Sequence, residues 1–227
     1  MTDDDLALPD FAPPPMAKEL EAELGSLEPV ATRRPVRQLA IVGIVSLLYG
    51  GLLLAVLSIR RDAGELPVEW LVFGGLAWFL GFVVPCYLAL VPAPGSMLSR
   101  RRLAVTSAIV AAIAFVVMGW LVHPHGPSSE QYNAERFIQG HWCLELGLAT
   151  ALVPVILGAM FLRGAMPVGS RWIAAALGAG GGSLGGLVLH LHCRITDPMH
   201  TGIIHAGVVT VAALLAAALV PRATDVR

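Results

Sequence analysis

Leu39–Ile59 reads LAIVGIVSLLYGGLLLAVLSI and contains no charged residue. A helix rises about 1.5 Å per residue, so about 20 apolar residues cross about 30 Å of hydrocarbon. In lipid the backbone N–H and C=O groups must pair within the segment, which makes such a run a helix. Five more runs of similar length follow, at Val68–Val91, Leu103–Val122, Cys143–Leu162, Trp172–Leu191 and Gly202–Val220. The expectation is an all-α membrane protein, a six-transmembrane-helix bundle whose consecutive helices are antiparallel neighbours. Pro85 and Pro154 fall inside spans, where membrane helices tolerate a kink. The first run stands behind a polar tail and reads as an uncleaved anchor.

Composition agrees. The 227 residues are 56% hydrophobic and 14% charged, with a mean hydropathy of +0.73. Soluble domains are about 45–50% apolar and about 25% charged, so the bilayer is the first partner. Three cysteines are too few for a disulfide scaffold, and a net charge of −1 offers no footprint for direct nucleic-acid binding.

Arginine placement orients the spans. With the N-terminus inside, Arg33, Arg34, Arg37, Arg100, Arg101, Arg102, Arg163, Arg171, Arg222 and Arg227 lie on the inner face. Only Arg60, Arg61, Arg136 and Arg194 lie outside, the Arg60–Arg61 pair running against the bias. Both termini are thus expected in the cytoplasm. The chain divides into a flexible tail over 1–38, a membrane domain over 39–221 and a short C-terminal tail over 222–227.

All seven histidines then fall at or near the outer face: His123, His125, His141, His190, His192, His200 and His205. Cys143 opens the fourth span and Cys193 closes the fifth, at one membrane depth, where adjacent helices could bring them within disulfide range. Cys86 lies roughly 27 Å from that face along its helix and reads as a small buried hydrophobe. His190 and Cys193 are three apart and share a helix face, with Glu145 and Asp197 nearby. Imidazole and thiolate suit zinc or another divalent metal. The outer face is therefore read as a thiol or metal site drawn from Cys143, Cys193, His141, His190, His192, His200 and His205. A structural disulfide among interfacial histidines is the plainer alternative, and His123 and His125 are the weaker histidines.

Gly178, Gly182 and Gly186 in the fifth span recur every four residues. Such ridges let helix backbones approach closely, here inside the bundle or, as the second choice, across a homodimer face. No strand precedes the glycines, so they do not form a nucleotide loop.

The tail carries eight acids against Lys18 through residue 32. Pro13-Pro14-Pro15 before and Gly25 after frame a short helix in which Met16, Leu20 and Leu24 form one apolar stripe, extended by Leu27. A short amphipathic segment in an acidic tail is suited to folding on a partner.

The plan as a whole resembles the NrsF-like family of membrane anti-sigma factors. The resemblance rests on the tail ending Leu27-Glu-Pro29-Val30-Ala-Thr-Arg33-Arg34-Pro35, the cysteines bounding spans four and five, and the Cys193…His200…His205 run. CarR-type light-response anti-sigma factors have a comparable six-span plan. The resemblance implies a bacterial inner-membrane protein without catalytic activity that holds an extracytoplasmic-function (ECF) sigma factor. It assigns sigma binding to the Leu20–Pro35 stretch, with Leu20, Leu24, Leu27, Pro29, Val30, Arg33 and Pro35, to which the apolar stripe adds Met16, and stress sensing to Cys143 and Cys193. Oxidation, a metal ion or a light-derived stress would release the sigma factor. The rival reading is a membrane thiol/quinone or haem oxidoreductase using the same outer-face residues.

Overall fold

A computed structural model describes residues 25, 33–91, 99–121, 134–163, 170–197 and 200–224. The stretch carrying Met16, Leu20, Leu24, Leu27, Pro29 and Val30 lies outside the described residues, as do His123 and His125. Among the described residues the regular structure is helical: α1 Pro35–Leu57, α2 Val68–Leu90, α3 Arg100–Leu121, α4 Ala134–Leu162, α5 Ser170–His192 and α6 Ala206–Thr224. A wider π-helical turn, His200–His205, leads into α6. All six helices lie within one unit, Arg34–Arg227, distinct from Met1–Arg33.

Among the described residues, five segments are long and apolar enough to span a bilayer: Pro35–Leu57, Val68–Leu90, Gly140–Leu162, Arg171–His192 and His200–Ala223. The chain is thus a multi-pass membrane protein. α3 opens on Arg100-Arg101-Arg102 before its apolar run.

Several helices extend beyond their apolar runs. α1 starts four residues before Leu39, because Pro35 has its φ preset for the first turn and needs no N–H there. α4 begins at Ala134, so Cys143 lies inside the helix rather than at its opening. α2 and α4 run through Pro85 and Pro154.

α5 is the centre of the bundle. It packs against α1, α2, α3, α4 and α6, and 83% of its apolar window is buried, against 17% for α1. The outer helices turn large apolar side chains outward, among them Leu48, Leu52 and Val56 on α1, Phe73 on α2, Ile113 on α3, Met160 on α4 and Leu214 on α6. A soluble protein does not expose such a belt, whereas a helix bundle in lipid does.

The glycines explain how α5 accommodates five neighbours. A Cβ on Gly182 would sit 2.6 Å from Val209 Cα, and one on Gly178 would meet the Ala212 carbonyl, so both face α6. Gly186 faces the Trp78 ring of α2 instead, because a four-residue step overshoots one turn by about 40°. Gly181 and Gly185 face the α4 backbone at Ala151 and Gly147. The ridge is therefore consumed inside the bundle and does not supply a homodimer face. Trp78, seated over Gly186, stacks on Phe115 of α3 at 3.8 Å between ring centroids. At the other end of the bundle Arg101 lies over the Trp172 ring, 5.5 Å from its centroid.

Candidate functional site

α5 ends when the Cys193 N–H donates to the Leu189 carbonyl at 2.7 Å. The chain then turns through residues 193–197, where Asp197 organises the entry to the last span. Its carboxylate accepts the His200 N–H at 3.1 Å, and its carbonyl accepts the Thr201 N–H at 2.9 Å. In an α-helix His200 and His205 would diverge by about 140°. The π turn, with its i→i+5 pattern, brings them edge to face with ring centroids 5.0 Å apart.

The two rings close on the thiols. Cys193 Sγ is 3.5 Å from His200 Nε2 and 3.8 Å from Cys143 Sγ. One ligand atom each from Cys143, Cys193, His200 and His205 lies within 4.8 Å of every other. Cys193 is 6% exposed and the two histidines 3% each, while Cys143 is half-buried. The Cys143 thiol, donating to Cys193 Sγ, holds the Cys193 thiol well below its usual range; the His200 and His205 rings add to this and burial opposes it. Cys193 thus has a ring nitrogen on one side and an oxidisable thiol on the other. His200 Nδ1 and His205 Nε2 are buried without a hydrogen-bond partner.

The other expected histidines are engaged elsewhere. His190 Nε2 donates to the Leu71 carbonyl at 3.1 Å, and its ring lies 4.4 Å from that of Trp70. That ring occupies the space above Gly74, where a Cβ would approach it to 2.6 Å. His192 Nδ1 donates to the Ser58 carbonyl at 2.8 Å. His141 points outward beside exposed Trp142. The shared face of His190 and Cys193 therefore does not unite them, because α2 captures the His190 ring. Glu145 is exposed, and Asp197 serves as a cap. Cys86 is buried against Gly180 on the α2–α5 contact, apart from this group.

Arg60 is a participant that sequence reasoning missed. It is 4% exposed, and its N–H donates to the Leu191 carbonyl at 2.9 Å. Its guanidinium donates to the His190 and Arg194 carbonyls at 3.5 and 3.3 Å and grips the Asp62 carboxylate at 2.8 and 2.9 Å. It also lies over the Trp70 ring, 5.5 Å from the centroid. A cation at the carbonyl end of a helix satisfies orphan acceptors and opposes the helix dipole. The Arg60 hydrogen bond holds the Asp62 carboxyl below the usual carboxylate range. The available signal was the Arg60–Arg61 pair, which runs against the bias expected from the other arginines.

A family model described as NrsF, negative regulator of sigma F, matches residues 25–224. No curated protein and no solved structure matches the chain.

Proposed function

The chain belongs to the NrsF family of negative regulators of sigma F, and from that premise we propose that it is an anti-sigma factor whose outer-face thiol pair senses oxidation. The observation that carries the sensing is the 3.8 Å approach of Cys143 Sγ to Cys193 Sγ, with the His200 ring nitrogen 3.5 Å from the Cys193 sulfur. An oxidant such as a peroxide takes two electrons from the pair and leaves a disulfide.

The remaining parts of the reading follow from placement. Six spans in a bacterial inner membrane, with both termini cytoplasmic, accord with the arginine distribution and put the thiols outside. The acidic tail then faces the cytoplasm, where the Met16, Leu20, Leu24 and Leu27 stripe, continued by Pro29, Val30, Arg33 and Pro35, docks on an ECF sigma factor. Oxidation repacks the ends of α4, α5 and α6 and weakens that complex. Each tenfold shift of the equilibrium needs about 1.4 kcal/mol of difference between the two states. The protein acts by binding and catalyses no reaction.

The test uses the full-length protein in cells carrying a target-promoter reporter. Cys143→Ser with Cys193→Ser should make the reporter insensitive to peroxide, and Leu20→Asp with Leu24→Asp should leave it on without stress. A normal peroxide response in the cysteine double mutant would refute the sensor assignment. Unchanged repression in the leucine double mutant would refute the tail assignment.

A further inference from the structure

The site described above has the dimensions of a metal centre. Tetrahedral zinc, with Zn–S of about 2.3 Å and Zn–N of about 2.0–2.1 Å, places two sulfurs about 3.8 Å apart and sulfur and nitrogen about 3.6 Å apart. Cys143 Sγ and Cys193 Sγ are 3.8 Å apart, and Cys193 Sγ and His200 Nε2 are 3.5 Å apart. The ligand atom of His205 is within 4.8 Å of each of the others. We propose that Cys143, Cys193, His200 and His205 hold one zinc ion in the reduced, resting protein.

Hydrogen bonding among the four groups accommodates the same two distances, but it leaves the polar bookkeeping open. His205, 3% exposed, retains a buried Nε2 without a hydrogen-bond partner, whereas in His200 the unpartnered nitrogen is Nδ1 and Nε2 is the one that faces Cys193. Coordination also lets both sulfurs ionise, with two negative charges offset by a divalent cation in a site that would otherwise disfavour them. The geometry supports the same conclusion. The π turn sets His200 beside His205, and Asp197 holds that turn through the His200 N–H. Half-buried Cys143 leaves one approach to the ion from outside.

This inference deepens the sensor reading, and the regulation it describes rests on that reading. In the reduced state the ion ties three places together: α4 through Cys143, the end of α5 through Cys193, and the π turn through His200 and His205. Hydrogen peroxide oxidises the two zinc-bound thiolates, each sulfur giving up one electron. One S–S bond forms, the peroxide O–O bond breaks, two protons are taken up, and two waters and free zinc are released. The disulfide retains the α4–α5 link and frees the π turn of the last span. The moving part on oxidation is therefore the entry to α6.

The experiment uses reduced, full-length protein purified in detergent, with helix content checked for each variant. Elemental mass spectrometry should find one zinc per chain in the wild type and in His192→Gln, whose imidazole lies outside the group. His200→Gln, His205→Gln and Cys143→Ser should each bind zinc ~10-fold or more weakly, since even an outer-shell change at zinc sites costs that much. Cobalt in place of zinc should show the visible bands of a tetrahedral ion with thiolate charge transfer, and peroxide should bleach them as Cys143 and Cys193 become disulfide-linked. Wild type with far less than one zinc per chain and a thiolate-free cobalt spectrum would overturn the proposal, as would equal zinc loss in His192→Gln and His205→Gln. A cysteine-dependent peroxide response in zinc-free protein refutes the zinc site alone. Stoichiometric zinc with a peroxide-blind reporter supports the site and refutes the sensor.

Discussion

Cys143 Sγ lies 3.8 Å from Cys193 Sγ across fifty positions of sequence, and the contact depends on how closely α4 and α5 approach. One turn further along α4 from Cys143, Gly147 meets Gly185 of α5 backbone to backbone; a Cβ on Gly185 would strike the Gly147 carbonyl. The glycine pair thus sets the spacing at which the two thiols face each other.

Gly185→Ala should therefore push α4 away from α5. Overpacking of this kind costs about 1–3 kcal/mol, read as a lower thermal midpoint in detergent. Disulfide formation between Cys143 and Cys193 should slow in the same variant. Gly51→Ala, which would meet no atom within 4 Å, should leave both measurements unchanged.

Mild oxidation of the wild type in membranes should yield one cross-link, Cys143 to Cys193. Cys86 is sealed against Gly180 between α2 and α5 and should stay unreacted. Peptide mass spectrometry under non-reducing conditions identifies the pair. Cys86→Ser should give the same product at the same rate, and a product containing Cys86 would contradict the packing.

Arg60→Met should be the most damaging single change in the loop between α1 and α2. It removes a buried cation from the His190 and Arg194 carbonyls and from Asp62. Hydrogen bonds to charged groups contribute about 1.5–3 kcal/mol, so a loss of about 2 kcal/mol in thermal stability is expected. Arg60→Lys should recover only part of it, because a lysine cannot reproduce the planar fork.

The ion pair also predicts a pH dependence. Arg60 lowers the folded-state pKa of Asp62, so the contribution is present above the unfolded value of about 3.9. It disappears as pH falls through the lower folded value. Wild type should thus exceed Asp62→Asn in stability at neutral pH, by about 1 kcal/mol or less because the carboxylate is partly exposed. The two should converge in acid below about pH 4. A difference that grows on acidification would mean that the carboxyl is stabilised in its neutral form.

The sequence by itself determined the class of the molecule. Uninterrupted apolar length, as in Leu39–Ile59, leaves the backbone in lipid no alternative to a helix, and among the described residues five helices are long and apolar enough to cross. The small-residue ridge on α5 was legible for the same reason, since a four-residue repeat fixes a face whatever lies opposite. The two thiols could be paired because each sits at a span boundary, and boundaries fix depth.

Tertiary structure decided which histidines join them. His190 and Cys193 share a face of α5 in the linear pattern, yet α2 presents the Leu71 carbonyl and the open space over Gly74, and the His190 ring goes there. His200 and His205 differ by five positions, which an α-helical reading separates. Only the π turn, held by Asp197, sets them side by side. Arg60 looked like an exception to a topological rule and is instead the buried cap of α5. Membrane insertion follows from the chemistry of consecutive residues, which a sequence displays directly. A site of four side chains depends on sub-turn rotations and on carbonyls of neighbouring helices competing for the same imidazoles, and those exist only once the helices have packed.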